Sequence, residues 1–386
     1  MLVSAAGAAP FAYITNLDNT VSVIDTATDN VTATVNVGKE PFGVAVTPDG
    51  TKVYVTNFGN RTVSVIDTTT NKVTSTLSMD SVGRGIAVSP DGKKVYVIGP
   101  SISTIDTATN NITATALGRG LSPVGIAVSP DGAKVYLTEY VPEGVIYALD
   151  TTTNLAVPVK VGSGPWGVAV SPDSTKVYVT NRGDDTVSVI DTATNNVTDT
   201  VPVGSSPFEV AVTPDGKYVY VTNYNSGTVD VIDTATNKVT ATVDVEVNPT
   251  GVAVTLDGKK VYVASEGANS VFVIDTATNE VTATVKVGRL PVAFGQFIGG
   301  KQDTLVAAFS ACPESGKTPL AVKFTDESAG SPTSWLWDFG DCSTSTVKDP
   351  VHNYCKAGRY TVSLTVENAA GNNSVTKFKY ITVKNK

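Results

Sequence analysis

Short stretches in which β-branched apolar residues alternate with small or polar ones recur along the first 300 residues. One such stretch reads GVAV, the turn TPDG, KVYVTN, the loop FGN, TVSVID, the turn TTTN and KVTSTL. Alternation with a period of two, bounded by turn residues, is typical of β-strands joined by tight turns. The stretch is therefore predicted to form a four-stranded antiparallel meander, with strands at 43–46, 52–57, 62–67 and 72–77.

The meander recurs with a period of about 42 residues. An Ile-Asp or Leu-Asp dipeptide marks seven copies, at Ile24-Asp25, Ile66-Asp67, Ile105-Asp106, Leu149-Asp150, Ile190-Asp191, Ile232-Asp233 and Ile274-Asp275. A tyrosine landmark has the same phase, at Tyr13, Tyr54, Tyr96, Tyr136, Tyr178, Tyr220 and Tyr262. Four strands per unit of this length fit a propeller blade, whereas solenoid repeats with one strand each are shorter.

The two ends of the array complement each other. The first unit begins at its second strand, around residues 11–16, and so lacks a GVAV strand, while a surplus segment, PVAFGQF at 291–297, follows the last complete unit. Pairing these segments would complete a seventh blade from both ends and satisfy edge hydrogen bonds. We therefore expect residues 1–300 to form a closed ring of seven four-stranded antiparallel blades, rather than an open solenoid.

The repeated blocks YVTN, V-A-V-[ST]-P-D-G and I-D-T-A-T-N resemble the YVTN family of β-propeller repeats, known best from archaeal surface-layer proteins. The resemblance covers about residues 11–300. The block order is also similar to that of WD40 units. That similarity implies that the GVAV strands line the central channel and that the KVTATV strands form the outer rim.

The two faces of such a ring differ in sequence. One face carries the nearly uniform PDG and DTATN turns, whose Asp and Asn residues are expected to satisfy local backbone donors. The other carries irregular loops and connections, where function is expected. Candidate residues for an interaction face near the channel mouth are Phe42, Arg84, Arg119, Glu139, Trp166, Arg182, Phe208, Glu209 and Arg289.

Two interpretations of this set stay open. In one, the aromatic rings plug the channel and the charged groups are solvated. In the other, the set forms a recognition surface, because Trp, Phe and Arg are common interface anchors. The tripeptide Arg182-Gly183-Asp184 lies in one of these loops and is interpreted as a chance match.

The composition excludes several kinds of chemistry. The single histidine, His352, and the three cysteines all lie beyond residue 300, so the repeats cannot build a His or Cys metal site, a Ser-His-Asp triad or a thiol nucleophile. The net charge of −8 disfavours nucleic acid as a partner, and no run of about 18 apolar residues predicts a membrane span. We expect no cofactor, no resident metal and no catalytic residue.

The last part of the chain, residues 301–386, follows a different pattern, with denser aromatic residues and alternating strands sufficient for an immunoglobulin-like β-sandwich. Its expected core comprises Trp335, Trp337, Phe339, Tyr354, Tyr360, Val362, Leu364 and Val366. The blocks WDFGD, HNY and GRYTVSLTVEN resemble a PKD domain. In that pattern the histidine, here His352, is a framework residue expected to form a hydrogen bond near the WDFGD strand.

One departure from the PKD pattern concerns cysteine. Cys342 stands where the family commonly has glycine, and Cys355 follows the H-x-Y block. Two cysteines on neighbouring connections suggest a disulfide between Cys342 and Cys355 in an oxidising exterior, which would leave Cys312 unpaired.

These observations predict a noncatalytic protein of the extracellular cell surface, a surface-layer or adhesion component. Its partners would be other cell-surface proteins or glycans, including copies of itself. The alternative is a propeller enzyme of the lactonase-like hydrolase type with a Ca²⁺ site in the channel. Such a site needs carboxylates from several blades, yet Glu209 is the only carboxylate in the GVAV-type strands.

Overall fold

The computed structural model describes residues 11–80, 83–99, 102–115, 123–299, 305–328, 332, 334–368 and 371–385. The chain divides into two compact units, one within residues 9–300 and the other within residues 301–386. Both are built from β-strands, and the described residues contain no helix that is long and apolar enough to cross a membrane.

The first unit is a seven-bladed propeller. Its strands, in chain order, are β1 (Phe11–Asn16), β2 (Thr20–Asp25), β3 (Asn30–Asn36), β4 (Pro41–Val46), β5 (Lys52–Asn57), β6 (Thr62–Asp67), β7 (Lys72–Ser78), β8 (Ile86–Val88), β9 (Lys94–Val97), β10 (Ile102–Asp106), β11 (Ile112–Thr115), β12 (Pro123–Val128), β13 (Lys134–Glu139), β14 (Val145–Asp150), β15 (Ala156–Lys160), β16 (Pro165–Val170), β17 (Lys176–Asn181), β18 (Thr186–Asp191), β19 (Asn196–Pro202), β20 (Pro207–Val212), β21 (Tyr218–Asn223), β22 (Thr228–Asp233), β23 (Lys238–Asp244), β24 (Pro249–Val254), β25 (Lys260–Ser265), β26 (Ser270–Asp275), β27 (Glu280–Lys286) and β28 (Ile298–Gly299).

These strands form seven four-stranded antiparallel sheets within the described ranges. Blade 1 has the order β28-β1-β2-β3, and blades 2 to 7 each take the next four consecutive strands, from β4–β7 to β24–β27. The predicted meander is confirmed in blade 2, where the second and third strands have the predicted bounds. The loop FGN between these strands forms a 3₁₀ turn, Phe58–Asn60.

The radial order expected from the WD40 similarity is confirmed. The first strands of blades 3 to 7 line the central channel, and the fourth strand of each blade is the outer edge of its sheet. Burial follows this order: β5 is buried almost throughout, whereas β7 alternates between exposed and half-buried residues. The core therefore lies between the faces of neighbouring blades, where the landmark tyrosines are buried.

The threonine of the YVTN block joins neighbouring blades. Thr180 accepts a hydrogen bond from the backbone N–H of Gly167 (2.8 Å), and its Oγ1 donates to the carbonyl of Phe208 in the next blade (3.0 Å). Thr56 makes the same pair of contacts with Gly43 and Arg84. One side chain thus satisfies a donor in its own blade and an acceptor in the next, which fixes the spacing of the inner strands.

Both ends of the array close the ring, as predicted, but not through a regular strand at 291–297. Only Ile298 and Gly299 form β28, paired with Ala12 and Phe11. The segment before it, residues 291–297, is hereafter called the closing segment. It bonds on both sides: the backbone N–H of Val292 donates to the carbonyl of Thr15 in blade 1 (2.8 Å). The carbonyl of Phe294 accepts from the N–H of Val44 in blade 2 (2.9 Å).

An ion pair also marks the junction between blades 7 and 1. The turn after β2 ends in Asp29, where the corresponding turns of other blades have Asn. Asp29 lies 2.8 Å from the Nζ of Lys260 in β25 and accepts a short hydrogen bond from the hydroxyl of Tyr262. At the equivalent junction of blades 5 and 6, Lys176 donates to the carbonyl of Thr234. The closing junction therefore gains a charged contact at the turn end of the ring.

The second unit is a β-sandwich. Its strands are β29 (Phe309–Cys312), β30 (Ser315–Lys317), β31 (Leu320–Asp326), β32 (Ser334–Asp338), β33 (Thr344–Ser345), β34 (Val351–Tyr354), β35 (Gly358–Asn368) and β36 (Gly371–Lys384). They form a three-stranded sheet, β29-β31-β34, and a five-stranded sheet, β30-β36-β35-β32-β33. The predicted core residues pack together, with Trp335 and Tyr360 only partly buried at its edge.

The framework role predicted for His352 agrees with its contacts. Its Nε2 lies 2.8 Å from Oδ2 of Asp341, and its ring stacks on Phe339 with centroids 4.2 Å apart. Burial by itself raises the pKa of Asp341, but hydrogen bonding and charge from His352 outweigh it and lower that pKa below its usual value.

The expected disulfide between Cys342 and Cys355 is not present in the structure. Both residues, and Cys312, are exposed free thiols. Cys342 adopts a left-handed backbone conformation (φ 74°) in the turn after β32, which suits the glycine it replaces. The Sγ of Cys355 instead contacts the carbonyl of Asn353 in its own segment, at 3.9 Å.

Candidate functional site

The channel mouth, at the end of the ring that carries the irregular loops, contains a small pocket. Its lining comes from blades 1, 2, 3, 5, 6 and 7 and from the closing segment: Leu17, Phe42, Arg84, Trp166, Arg182, Phe208, Tyr224, Thr250, Glu266 and Val292. The pocket has a volume of about 180 Å³. That is below the range of pockets that enclose a drug-sized ligand, so it suits a single polar group of a larger partner.

Two arginines lie over aromatic rings in this pocket. The guanidinium carbon of Arg84 is 5.2 Å from the ring centroid of Phe42 and 5.5 Å from that of Trp166. The guanidinium carbon of Arg182 is 5.0 Å from Trp166 and 5.3 Å from Tyr224. Trp166 is therefore shared by the two cations, and each pair is within the range of a cation–π contact. We call Arg84 and Arg182, together with the rings of Phe42, Trp166 and Tyr224, the arginine–aromatic cluster.

Neither arginine has an acidic partner in the part of the chain that the structure describes. The ion pairs there involve Lys217, Lys259, Lys260 and His352. Apart from its ring contacts, Arg182 donates from Nε to Oγ of Ser206 (2.8 Å). Burial lowers the pKa of Arg84, and the charge of Arg182 lowers it further. Glu266 lines the same pocket but forms no ion pair with either described arginine. An anion between the two guanidinium groups would stabilise both.

Beneath the arginines, aromatic rings close the channel. Trp166, Phe208 and Phe294 are buried in one cluster, with ring centroids 5.0 Å apart for Trp166 and Phe208 and 6.0 Å apart for Phe208 and Phe294. The rings therefore plug the channel, as one sequence interpretation expected, and the same rings carry the arginines on their outer side. The recognition surface of the other interpretation stays a prediction.

Backbone contacts hold the loop that presents Arg182. The N–H of Arg182 donates to the carbonyl of Gly164, and that of Gly183 to the carbonyl of Ser163, both at 3.0 Å. Oδ2 of Asp184 accepts from the N–H of Ser163 (2.7 Å). The Arg-Gly-Asp tripeptide is thus engaged in contacts within the propeller, with Asp184 stabilising the connection and Arg182 directed to the mouth.

Five of the predicted residues meet in this pocket: Phe42, Arg84, Trp166, Arg182 and Phe208. Three other predicted residues lie elsewhere. Glu139 is buried at the end of β13, Arg289 is exposed with its N–H bonded to Asp18, and Glu209 lines the central channel. Arg119 lies outside the described residues.

Sequence reasoning missed several lining residues. Tyr224 and Glu266 each directly follow the second strand of a blade, and the hydroxyl of Tyr224 donates to Oε2 of Glu266 (3.1 Å). Their shared position in the repeat, one residue after the YVTN-type block, is the same as that of Arg182. This position in the repeat is the sequence signal that could have identified both residues.

A second cavity, of about 310 Å³, is the central channel itself. Its described lining is mostly Val, Ala, Ile and Pro, with Glu209 the only ionisable side chain. Glu209 is buried, and burial raises its pKa to about 8. In the described residues, no group of three or more His, Cys, Asp or Glu side chains is placed to hold a metal ion.

Comparison with protein families gives the same two units. Residues 1–107 and 164–250, together half of the chain, match the YNCE-like beta-propeller family. The chain belongs to this family. Residues 304–383 match the PKD domain, so the propeller is followed by a C-terminal PKD domain.

Among curated proteins, the chain is similar to a microbial collagenase of Vibrio alginolyticus (39% identity over 79 residues) and to collagenase ColA of Bacillus cereus (41% over 76). It is also similar to the pre-pro-metalloprotease PrtV of Vibrio cholerae (41% over 56). These stretches cover 18%, 19% and 14% of this chain and 10%, 8% and 6% of the three proteins. The chain thus spans a tenth or less of these relatives.

Two solved structures show the same propeller fold. Hydrazine synthase of Kuenenia stuttgartiensis aligns with a TM-score of 0.62 and 22% identity, over 72% of this chain and 99% of that one. A protein of unknown function from Desulfotomaculum acetoxidans aligns with a TM-score of 0.64 and 16% identity, over 74% and 99%. At these identities the likeness concerns the fold alone.

Proposed function

We propose that this chain is a noncatalytic, extracellular binding protein, and that its propeller holds an anionic group of a protein or glycan partner at the channel mouth. The observation that carries the proposal is the pair Arg84 and Arg182, which share Trp166 and have no acidic partner among the described residues.

The chemistry of the pocket fits an anion. A guanidinium group presents several N–H donors in one plane and binds a carboxylate or sulfate through two of them at once. Stacking on aromatic rings restricts Arg84 and Arg182 before a partner arrives, so less conformational entropy is lost on binding. Since the chain carries a net charge of −8, a local positive site would also give an acidic partner a defined place to dock.

The extracellular location is part of the proposal. It is supported by the PKD domain. The curated proteins that are similar to short stretches of this chain are collagenases and a pre-pro-metalloprotease. The acidic, threonine- and asparagine-rich repeats suit a crowded cell envelope. Within that location we assign the chain to the structural and adhesive proteins of the cell surface, such as those of surface layers.

Binding to immobilised acidic polymers tests the proposal. Alginate carries carboxylates, heparin carries sulfates, polyglutamate is an acidic polypeptide and dextran is a neutral control. We expect the wild-type protein to bind at least one acidic polymer and not dextran. The Arg84→Ala/Arg182→Ala variant should lose at least tenfold in affinity, because both guanidinium contacts disappear.

A charge-matched variant distinguishes binding at the channel mouth from a general effect of losing two positive charges. Lys72→Ala/Lys238→Ala removes two positive charges from exposed positions at the start of β7 and β23. We expect this variant to bind like the wild type. If it loses as much affinity as the arginine variant, or if the wild type binds none of the acidic polymers, the proposal is wrong.

A further inference from the structure

The central channel is chemically distinct from the mouth. It is open toward the PDG turns, where exposed Pro130 and Pro214 line its rim, and Phe294 closes the opposite end. Glu209 lies in β20, at the third position of that strand. An apolar cavity with one convergent ionisable group has the usual composition of a small-molecule site.

Glu209 is an exception to the repeat. The corresponding residues of blades 2 to 5 and of blade 7 are glycines, including Gly43, Gly125 and Gly167. A Cβ atom at Gly125 would lie 2.2 Å from the carbonyl oxygen of Trp166 in the next blade, so the inner strands approach too closely for a side chain there. Blade 6 carries a carboxyl group at a position where the fold favours glycine.

The carboxyl group of Glu209 is not satisfied by the protein. Oε1 accepts a hydrogen bond from the N–H of Val210 (3.3 Å), and Oε2 is buried without a hydrogen-bond partner. A buried polar atom without a partner destabilises the folded state by about 1 to 3 kcal/mol. An acidic side chain in such a position stays protonated unless a partner that is not part of the chain stabilises its carboxylate.

The channel wall restricts the nature of that partner. Calcium sites combine several carboxylates with carbonyl oxygens, whereas the described lining offers one carboxyl group. The first strand of each blade is an edge strand, so carbonyl oxygens of its free edge face the channel. In blade 2 that edge is already used, since Val44 and Val46 donate to the closing segment. In blades 3 to 7, the aliphatic side chains and these carbonyls suit an apolar body with a positively charged donor group.

We propose that the channel binds a small aliphatic amine in its ammonium form, with the ammonium group paired to Glu209 and the aliphatic body against the valines and alanines of the inner strands. The remaining ammonium N–H groups donate to carbonyl oxygens of the strand edges. The site is separate from the arginine–aromatic cluster and does not depend on the function proposed for it.

Binding is coupled to a proton. At pH 7 the raised pKa keeps the carboxyl group of free Glu209 protonated, while an alkylamine, like a lysine side chain, is already an ammonium. Formation of the ion pair therefore releases one proton from Glu209 to solvent and creates one carboxylate. The expected affinity is about fivefold to tenfold higher at pH 8.5 than at pH 7, because less of the free protein has to lose this proton.

Isothermal titration with n-butylammonium chloride tests this inference. Titrations at pH 7 in phosphate and in HEPES, whose ionisation enthalpies differ and neither of which is a primary amine, give the number of protons released. We expect nearly one proton per bound amine with the wild-type protein. n-Butanol, a neutral molecule of the same shape, should bind at least tenfold more weakly.

Two variants keep the test independent of folding. Glu209→Gln preserves the shape of the side chain, and Glu209→Gly restores the residue that the repeat favours. Both should fold and lose at least tenfold in affinity for n-butylammonium, whereas Glu280→Gln, on the exposed start of β27, should bind like the wild type. The proposal is overturned if n-butylammonium does not bind at millimolar concentration. It is equally overturned if Glu209→Gly binds as tightly as the wild type, or if no proton is released.

Discussion

The two ends of the propeller are built by different rules. At the turn end, each PDG-type turn repeats one arrangement: in blade 2, Oδ1 of Asp49 accepts from the hydroxyl of Thr47 and the N–H of Thr51, and Asp173 repeats it with Ser171 and Thr175. At the loop end, the backbone contacts between loop and connection repeat, and so do the hydrogen bonds that the last residue of the second strand donates, as Asn57 and Asn181 do to a Thr and a Ser of the third strand. The residues that follow this strand differ from blade to blade.

The difference shows where specificity can arise in a repeat protein. Contacts that recur from blade to blade, such as the threonine bonds of blades 1, 2, 4, 5 and 6, hold the ring together. Residues that break the pattern, such as Arg84, Arg182 and Glu209, are not needed for that purpose, and they are the ones that lie at the mouth and in the channel. Scaffold and candidate sites can therefore be perturbed separately.

The largest expected effect concerns the threonine that joins the blades. Thr180→Val removes the acceptor for the N–H of Gly167 and the donor for the carbonyl of Phe208, both buried. Two unsatisfied backbone groups should lower the free energy of unfolding by about 2 to 6 kcal/mol. Thr200→Val, at an exposed position of β19, should change it by less than about 0.5 kcal/mol. Equal effects in urea unfolding would contradict the scaffold role of Thr180.

The next effect is a pH dependence caused by Glu209. Because burial raises its pKa from 4.5 to about 8, the folded protein retains a proton that the unfolded chain releases above its own, lower pKa. Stability should therefore fall as the pH rises from about 4.5 to about 8. Relative to Glu209→Gln, the wild type should lose on the order of 2 to 4 kcal/mol over this window. Urea unfolding at pH 5 and pH 8.5 measures the difference; parallel curves for the two proteins would show that Glu209 titrates normally.

A smaller effect is expected at the turn end. Asp49→Ala removes the acceptor for Thr47 and Thr51 and should lower the free energy of unfolding by about 1 kcal/mol at pH 7. Burial alone would raise the pKa of Asp49, but hydrogen bonds from Thr47 and Thr51 outweigh it and lower the pKa. The stabilisation is thus present above the ordinary pKa and is lost as the pH falls through the lowered value. Thermal unfolding at pH 7 and pH 3 should show a smaller difference between the two proteins at pH 3 than at pH 7.

The smallest effect on stability is expected at the mouth. Arg182→Ala removes cation–π contacts and one hydrogen bond to Ser206 at a half-buried position. We expect less than about 1 kcal/mol of destabilisation in urea unfolding, together with weaker binding of acidic polymers. A destabilisation as large as that of Thr180→Val would mean that Arg182 belongs to the scaffold.

Much of the fold could be predicted from the sequence because seven copies of the repeat carry the same pattern of strands and turns. The strands at 52–57 and 62–67 have the predicted bounds, since alternation and turn residues agree there in every copy. The closing segment was placed correctly at the ring junction, but its irregular path was not predicted. It bonds to Thr15 on one side and Val44 on the other, and this double pairing depends on how closely blades 1 and 2 approach.

The candidate site was only partly predictable. Variable loops pointed to Arg84, Trp166 and Arg182, yet their convergence on one indole depends on the curvature of the ring, which no local pattern encodes. Glu209 was visible as the odd residue of its strand, whereas its burial required the spacing of neighbouring blades. The prediction that Cys342 pairs with Cys355 rested on their neighbouring connections in the sequence alone, and all three cysteines are free thiols in the structure.

The closing segment gives the ring a dependence on the order of synthesis. Until residues 291–299 emerge from the ribosome, the strand Phe11–Asn16 has no inner neighbour, and its unpaired edge is available to any other nascent chain. Two incomplete rings could exchange these tails and lock as an interlinked pair, a form of domain swapping. Translation speed near the end of the propeller would then decide how much of the protein accumulates as monomer.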